Sequence, residues 1–288
     1  MDVKKIIITG APRTGTTLLA GLLSSSPSIL VTNELGIFDH NPNNYYERDE
    51  WFDDRLNKEV LNRKGLTKKD IDDFYIGNFK NKGALEFFGD KFPTYCFDQV
   101  YCSHLCKTHP DAYFIFTYRN PCATIYSGLH RSKIEDSRMQ NSTRADWYFK
   151  NLESSIKKLE TSILNWSKHI FPYVKNKIII DYDYYINNVD LLINDLNKFL
   201  NTKLDHSEIE KTPSYTQKCD VGFEKLRKPY VNSGLEKYKE AFSKEEINFI
   251  LDNTKELDQY VRSLISQQKN YGHKRTTNTS TLGKAMLF

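Results

Sequence analysis

The segment IIITGAPRTGTT, residues 6–17, places the tightest constraint on how this chain can fold. It begins with three isoleucines, whose branched side chains suit a buried β-strand. Gly10 and Gly15 then enclose four residues, and Thr16 and Thr17 open an amphipathic helical pattern. A glycine-containing turn between a strand and a helix directs backbone N–H groups and the positive end of the helix at an anion. The segment therefore predicts a phosphate-binding loop.

This loop differs from the ordinary P-loop at one position. The consensus G-x-x-x-x-G-K-[ST] has a lysine after the second glycine, whereas this chain has Thr16 there. The nearest cation is Arg13, three residues upstream. The loop is suited to hold a phosphate, but it lacks the lysine that contacts the β- and γ-phosphates of ATP. A P-loop kinase or NTPase is the alternative, favoured by residues 178–181, IIID, which resemble a Walker B strand.

Strand and helix patterns alternate along the chain and predict an α/β domain with a P-loop-like, mostly parallel sheet and helices on both faces. Besides residues 6–8, buried strands are predicted at 29–31, 113–118 and 177–181. Helices are predicted at 16–25, 95–108, 121–133, 143–171, around 191–200 and at 243–265. Residues 89–93, GDKFP, are interpreted as a turn.

We expect a single domain over residues 1–266, followed by a polar tail at 267–288. Within the domain, residues 41–82 are polar, aromatic and charged, which is typical of short helices that cover a site rather than of a core. Tyr45, Tyr46 and Trp51 are the candidates there for a wall on the acceptor side of a binding site. Residues 203–233 are predicted to form an extended loop.

Charge and hydropathy argue against several classes of protein. Lys plus Arg number 41 and Asp plus Glu 37, a net charge of +4, whereas a dedicated nucleic-acid binder normally has a strong basic excess. No apolar run is long enough for a signal peptide or for a membrane span of about 18 residues. We therefore expect a cytoplasmic protein without membrane insertion and without a nucleic-acid partner.

The five cysteines show no pairing pattern, so reduced thiols are the simpler interpretation. Cys102, Cys106 and His109 share one face of a predicted helix, which raises the question of a zinc site. One rigid helix rarely presents more than two ligands to a tetrahedral ion, and the chain has no CxxC partner. We therefore expect no metal site.

A second anion-binding pattern follows the strand at 113–118. Arg119 comes at the end of that strand, and Pro121 begins the next helix. Ser127 lies about two helical turns on, and Arg131 follows four residues later on the same face. Arg119 and Ser127 are thus expected to reach one phosphate, with Arg131 on the same face of the helix.

With these two motifs the chain resembles the sulfotransferases that use 3′-phosphoadenosine 5′-phosphosulfate (PAPS). Residues 12–17, PRTGTT, are similar to the family's 5′-phosphosulfate loop, and Arg119 with Ser127 is similar to its 3′-phosphate motif. The resemblance is closer to the branch of Golgi-type and protein-tyrosine sulfotransferases than to the cytosolic enzymes. Further matches in register are Gly89-Asp90-Lys91, Tyr182 and residues 228–234, so the resemblance spans about residues 4–240.

The resemblance implies a reaction and a role for individual residues. The chain would transfer a sulfonate group from PAPS to an acceptor hydroxyl, release 3′,5′-phosphoadenosine (PAP) and need no metal. Glu34 would be the general base, and Arg13 and Lys91 would stabilise the charge that develops as the P–O–S link breaks. The implied cofactor-binding residues are Arg13, Thr14, Gly15, Thr16, Thr17, Arg119, Ser127, Arg131, Tyr182 and Lys237.

The sequence leaves the acceptor open among a carbohydrate, a small-molecule or lipid alcohol, and a tyrosine hydroxyl. The nearly charge-balanced 41–82 segment offers no basic track for a polyanionic glycan. A non-catalytic nucleotide-binding protein on the same fold is a further alternative, and the retention of Arg13, Glu34 and Lys91 argues against it. The late serine of the family cannot be placed within the divergent residues 203–227, and no pattern indicates an oligomeric state.

Overall fold

A computed structural model of the chain describes residues 3–38, 61, 64–75, 80, 85–136, 149–204 and 236–274. The strands are β1 (Lys4–Gly10), β2 (Ile29–Asn33), β3 (Phe87–Lys91), β4 (Tyr113–Tyr118) and β5 (Asn176–Asp181). The α-helices are α1 (Thr16–Ser25), α2 (Lys68–Tyr75), α3 (Gln99–Thr108), α4 (Pro121–Asp136), α5 (Leu152–His169), α6 (Tyr182–Tyr185), α7 (Val189–Leu200), α8 (Tyr238–Ala241) and α9 (Lys244–Lys274). A 3₁₀ helix at Pro93–Cys96 lies between β3 and α3.

The five strands form one parallel sheet in the order β2-β3-β1-β4-β5. Ile6 and Ile8 of β1 face a hydrophobic layer built with α1 and α7. Ile7 faces the opposite layer, to which α3, α4, α5 and α9 contribute. Successive side chains of a strand point to opposite faces, so the isoleucine run suits a strand that is buried on both sides. The predicted α/β class, with helices on both faces, is confirmed.

The prediction of a turn at residues 89–93 was wrong, because residues 87–91 form the strand β3 between β2 and β1. A glycine followed by two charged residues has the pattern of a turn, but each of these residues is accommodated inside the sheet. A Cβ at Gly89 would lie 2.1 Å from the Ile6 carbonyl oxygen, so only glycine fits beside β1. Asp90 is fully buried and accepts hydrogen bonds, and Lys91 forms an ion pair.

Most other elements lie where the sequence predicts them, with differences at their ends. Helix α3 begins at Gln99 rather than at residue 95, because the Asp98 side chain caps it by accepting from the Val100 N–H at 2.6 Å. Helix α9 continues to Lys274, past the predicted end at residue 265. Its Gln268 side chain bonds the backbone N–H and carbonyl of Ile179 on the edge strand β5, at 2.7 and 3.2 Å.

Several predicted features lie outside the described residues. They include the aromatic candidates Tyr45, Tyr46 and Trp51, and the stretch from 205 to 235 that contains the 228–234 match. Among the helices that the structure does describe, none has both the length and the apolar character needed to cross a membrane.

Candidate active site

One predicted site residue lies at the carboxyl end of each strand. In the order of the sheet these are Glu34 after β2, Lys91 ending β3, Arg13 after β1, Arg119 after β4 and Tyr182 after β5. Neighbouring strands lie about 4.8 Å apart, so the row extends over about 19 Å. Ligands of open parallel sheets bind at this edge, which makes the row the candidate active site.

The loop between β1 and α1 has the backbone of an anion-binding turn. Gly10, Arg13 and Gly15 all have positive φ angles, of 149°, 74° and 96°. Helix α1 starts at Thr16, and in the described part of the chain no side chain caps it. The N–H groups of the first helical turn have no acceptor within the helix, so those of Thr16 and Thr17 are placed to bind an anion at the positive helix end.

Thr14 serves the loop itself. Its N–H donates to the Ala11 carbonyl at 3.3 Å, and its Oγ1 donates to the same oxygen at 2.6 Å. Its Oγ1 also lies 2.6 Å from Thr117 Oγ1 of β4. The hydroxyl is buried and engaged in shaping the turn, a role the sequence did not suggest for either threonine.

The aromatic ring of Tyr182 covers the loop from the side of β5. A Cβ at Gly15 would lie 2.3 Å from the Tyr182 ring, so the close approach requires a glycine. Burial raises the pKa of Tyr182 above its usual value. The phenol, which is protonated at neutral pH even without this shift, can donate a hydrogen bond.

The loop arginine and the second predicted motif form one contact group. Arg13 Nε donates to Ser127 Oγ on α4 at 3.2 Å, and Arg119 Nη1 donates to the Arg13 carbonyl at 3.3 Å. The Arg119 guanidinium lies over the Tyr182 ring, 4.8 Å from its centroid. Its Nε lies 3.7 Å from Asp183 Oδ1. The structure therefore brings together five residues from three segments that are far apart in sequence.

Asp183 is a residue of this group that the sequence did not single out. Besides facing Arg119, its Oδ2 accepts a hydrogen bond from the Asn120 N–H at 2.5 Å. Burial raises the pKa of Asp183, while the Asn120 N–H and Arg119 oppose that change. The only signal in the sequence is an acid directly after Tyr182, at the end of a buried strand. The carboxylate orients Arg119 and the start of α4 at the same time.

Arg131 lies on the same helix as Ser127, whereas Lys237 lies on a neighbouring segment of the chain. Arg131 lies one turn beyond Ser127 on α4 and is buried. Lys237 precedes the short helix α8, which packs against α4, with the Phe242 and Tyr126 rings 5.9 Å apart. In the described part of the chain, no hydrogen bond or ion pair joins Lys237 to the other site residues.

Glu34 and Lys91 face each other at the ends of β2 and β3. Lys91 Nζ lies 2.5 Å from Glu34 Oε1, with the lysine side chain 1% and the glutamate side chain 44% exposed. The Glu34 N–H also donates to the Lys91 carbonyl at 2.7 Å. Glu34 has a φ of 60°, in the left-handed region. The arrangement places a solvent-accessible carboxylate on a buried ammonium group.

The residues considered for zinc have other partners. The Cys102 thiol donates to the Tyr95 carbonyl at 3.4 Å, and the Cys106 thiol donates to the His169 carbonyl at 3.1 Å. His109 Nδ1 lies 3.2 Å from Lys5 Nζ. Over the described ranges, no three His, Cys, Asp or Glu side chains are grouped to hold a metal ion.

Comparison with known proteins connects this arrangement to one family. The family model described as "Sulfotransferase family" matches residues 5–206, more than half of the chain. No curated protein matches the chain in sequence.

Three solved structures show the same fold. The sulfotransferase domain of the olefin synthase from Synechococcus PCC 7002 has a TM-score of 0.62 and 16% identity, over 86% of this chain and 93% of that one. The sulfotransferase domain from the curacin biosynthetic pathway has a TM-score of 0.60 and 16% identity, over 88% and 98%. Mouse SULT7A1, solved in complex with PAP, has a TM-score of 0.50 and 13% identity, over 95% and 90%.

Proposed function

The chain belongs to the sulfotransferase family, and from this we propose that it transfers a sulfonate group from PAPS to an acceptor hydroxyl and releases PAP. The observation that carries the proposal is the position of Arg119 and Ser127 directly beside Arg13 and the uncapped start of α1. PAPS has one phosphate at the 3′ position and another in the 5′-phosphosulfate. Two adjacent anion sites are what such a nucleotide requires.

The residues of this chain divide between the two sites. The N–H groups that open α1 would bind the 5′-phosphate, since the helix end is positive and uncapped. Arg119, Ser127 and Arg131 would bind the 3′-phosphate through charge-assisted hydrogen bonds. Tyr182 and Lys237 are proposed as further nucleotide contacts. The ring of Tyr182 already borders both Gly15 and Arg119.

The chemical step would be an in-line displacement at sulfur. Glu34 would accept the proton of the acceptor hydroxyl as the acceptor oxygen bonds to sulfur. Arg13 and Lys91 would stabilise the negative charge on the sulfonate and on the bridging oxygen as the bond from that oxygen to sulfur breaks. The bridging oxygen stays with the phosphate, so PAP leaves as the product. Lys91, now on Glu34, would turn towards the sulfonate in this step.

The alternative of a P-loop kinase or NTPase depends on Asp181 as a magnesium ligand. Asp181 Oδ2 lies 3.6 Å from Arg262 Nη1 of α9, and β4 separates its strand from the loop strand β1. Together with Thr16 in the lysine position, these contacts favour sulfonate transfer. The contact between Glu34 and Lys91 likewise favours an enzyme over a non-catalytic nucleotide-binding protein.

Calorimetric titration tests the nucleotide site. PAP, 5′-AMP and Mg-ATP would be titrated separately into the protein. We expect PAP to bind in the micromolar range and both other nucleotides to bind much more weakly, since neither carries a 3′-phosphate. Arg119→Ala should weaken PAP binding about 10- to 100-fold, as for the loss of a charge-assisted hydrogen bond, and weaken 5′-AMP binding much less. Tight Mg-ATP binding without PAP binding would contradict the proposal.

Radiolabelled transfer tests the reaction and sorts the acceptors. The donor would be PAPS labelled in the sulfonate, offered with 4-nitrophenol, a tyrosine peptide, a neutral disaccharide or a long-chain alcohol. Label in one of the four products would identify the acceptor class. PAP binding without transfer to any of them would support the nucleotide site and count against this set of acceptors.

A further inference from the structure

Glu34 has a backbone conformation that the chain around it must maintain. Its φ of 60° lies in the left-handed region, which costs a non-glycine residue about 1–2 kcal/mol. Gly36 follows with a φ of 67°. A glutamate in such a conformation persists only where neighbouring contacts hold it. The contacts that do so identify what positions the proposed base.

Asp90 supplies most of these contacts. Its Oδ2 accepts from the Gly36 N–H at 2.8 Å, and its Oδ1 accepts from the Leu35 N–H at 3.3 Å and from Thr32 Oγ1 at 2.7 Å. Two successive backbone N–H groups after Glu34 thus converge on one carboxylate, as they do in backbone concavities that bind anions. Asp90 is 0% exposed, so water does not compete with its carboxylate for these donors.

Tyr95 extends the network to the end of the same segment. Its hydroxyl donates to Asp90 Oδ2 at 3.0 Å and accepts from the Phe38 N–H at 3.1 Å. The ring is 1% exposed and packs edge-on against Phe92, with centroids 4.9 Å apart. Asp90 and Tyr95 therefore hold residues 35, 36 and 38, all directly after Glu34.

We propose that Asp90 and Tyr95 are positioning residues that hold Glu34 in the geometry for proton abstraction, an inference that rests on the proposed role of Glu34 as the base. Neither residue touches the site where substrate binds, since both are buried beneath the segment 34–38. They act through the backbone that carries Glu34. The same β3 end supplies Lys91, so one strand sets both members of the Glu34–Lys91 pair.

Two variants separate positioning from general stability. Tyr95→Phe removes only the hydroxyl that joins Asp90 to the Phe38 N–H, and it keeps the ring packing. Asp90→Asn replaces one acceptor oxygen by an NH₂ group that faces donors. Ser24→Ala is the matched control, because its buried hydroxyl accepts from the Val31 N–H of β2 at 2.9 Å, away from the 34–38 segment.

The first readout is a double-mutant cycle with Glu34→Gln on the rate of sulfonate transfer to the best acceptor found above. Misplacing a catalytic group by about 1 Å can cost about 100-fold in rate, so we expect kcat to fall about 10-fold in Tyr95→Phe and about 100-fold in Asp90→Asn. The KM for PAPS and the affinity for PAP should stay within about 2-fold. In the Glu34→Gln background, either substitution should lower kcat further by less than about 2-fold.

The second readout is amide hydrogen exchange, which needs no substrate. We expect the amides of Leu35, Gly36 and Phe38 to exchange at least about 10-fold faster in Tyr95→Phe than in the wild type. The amides of β1 should exchange at the wild-type rate in this variant. In the control Ser24→Ala, the amides of residues 35, 36 and 38 should also exchange at the wild-type rate.

The outcomes separate this inference from the proposed function. Equal rate losses with and without Glu34, or unchanged exchange at 35–38, would overturn the positioning role, and Tyr95→Phe decides this even if Asp90→Asn fails to fold. If the wild type transfers no sulfonate, the proposed function fails and with it the catalytic part of this inference. Faster exchange would then show only that Asp90 and Tyr95 hold residues 35–38 in place, without a catalytic consequence.

Discussion

Two residues with charged side chains, Arg13 and Glu34, have left-handed backbone conformations in this protein, with φ angles of 74° and 60°. Each backbone conformation is supported by a hydrogen bond with a residue at the end of a neighbouring strand. The Arg13 carbonyl accepts from Arg119, and the Glu34 N–H donates to the Lys91 carbonyl. Strained residues of this kind concentrate at functional sites, where surrounding contacts offset their cost. At the scale of single residues, the site is thus defined by backbone conformation as well as by charge.

Glu34→Gln is expected to lower kcat for sulfonate transfer by about 10²–10⁴-fold, the usual effect of losing a general base. PAP affinity should not change, because the proposed phosphate contacts lie elsewhere in the row. Steady-state kinetics with PAPS and calorimetry with PAP would measure the two quantities. Glu86→Gln is the control, since Glu86 is exposed at the opposite end of β3. Full activity in Glu34→Gln would remove Glu34 from the base role.

The pH dependence of stability should report on Asp90. Burial raises its pKa to about 6, above the ordinary value of 3.8. The folded state therefore binds a proton that the unfolded state has released between about pH 4 and 6, and the contribution of Asp90 to the unfolding free energy falls as the pH rises through this window. The unfolding free energy of the wild type relative to Asp90→Asn should show that fall and be flat above about pH 6. A difference independent of pH would contradict it.

The rate of transfer should change in the opposite direction with pH. Four donors, including the Leu35 and Gly36 N–H groups, face the two oxygens of Asp90, so protonation of this carboxylate weakens these bonds, and acid should loosen the segment that carries Glu34. The other titratable side chains at this place are Glu34 itself, Lys91 and Tyr95. A kcat profile that loses activity below about pH 6, while the Asp90 contribution to stability rises, would separate this effect from acid unfolding.

At the scale of elements, the strand β3 organises the site. It lies between β2 and β1, with Asp90 opposite Thr32 and Lys91 opposite Asn33. Its end therefore holds residues 35 and 36 on one side and pairs on the other side with β1, which leads into the proposed phosphate-binding loop. Gly89 makes this strand possible, since the backbone of Ile6 occupies the space that a side chain would need.

Gly89→Ala is expected to lower the unfolding free energy by about 3 kcal/mol, the upper end of ordinary overpacking costs. The added methyl would lie 2.1 Å from the Ile6 carbonyl oxygen and must displace backbone. Gly65→Ala is the control that distinguishes steric overlap from the cost of a left-handed backbone. Gly65 has a φ of +67°, but no atom lies within 4 Å of an added Cβ. Gly65→Ala should therefore lower the unfolding free energy by only about 1 kcal/mol. Chemical denaturation of both variants would measure the difference, and equal losses would contradict the packing argument.

At the scale of the whole molecule, helix α9 closes the sheet on the side of β5. It is 31 residues long, about 47 Å, and packs against α4, α5 and β5. Its Asp258 accepts a hydrogen bond from the Tyr118 hydroxyl at the end of β4, and its Arg262 pairs with Asp258 and with Asp181. The helix thus supports the strand ends that carry Arg119 and Tyr182. Its last described turns occupy an edge that would otherwise expose unpaired backbone groups.

Gln268→Ala is expected to lower the unfolding free energy by about 2 kcal/mol, because the Ile179 N–H and carbonyl lose their partner on the edge strand. Gln267→Ala, one residue earlier and exposed, should change it by less than about 0.5 kcal/mol. Thermal or denaturant unfolding of the pair would measure this contrast. Similar stabilities of the two variants would show that the edge contact contributes nothing measurable.

The sequence by itself determined the features that depend on local spacing. The Gly10 to Gly15 interval, the isoleucine run and the proline after Arg119 predict a strand, a turn and a helix start from neighbouring residues alone. Those elements lie where they were expected, and helix α1 and strand β4 match to the residue. Glu34, Arg13, Arg119 and Tyr182 could be assigned to one edge because parallel strands all end there.

Only the tertiary structure decided which of these ends are neighbours and what supports them. Lys91 meets Glu34 across 57 residues of sequence, and Arg13 meets Ser127 across 114. Strand order and hydrogen-bond partners over such separations are set by packing, which no local pattern encodes. The hydrogen-bond partners of Asp90, Tyr95, Asp183 and Gln268 could therefore not be predicted from the sequence. The pattern of Gly89 and Asp90 even indicated a turn, because a buried carboxylate and a strand glycine are stable only with partners that the folded chain supplies.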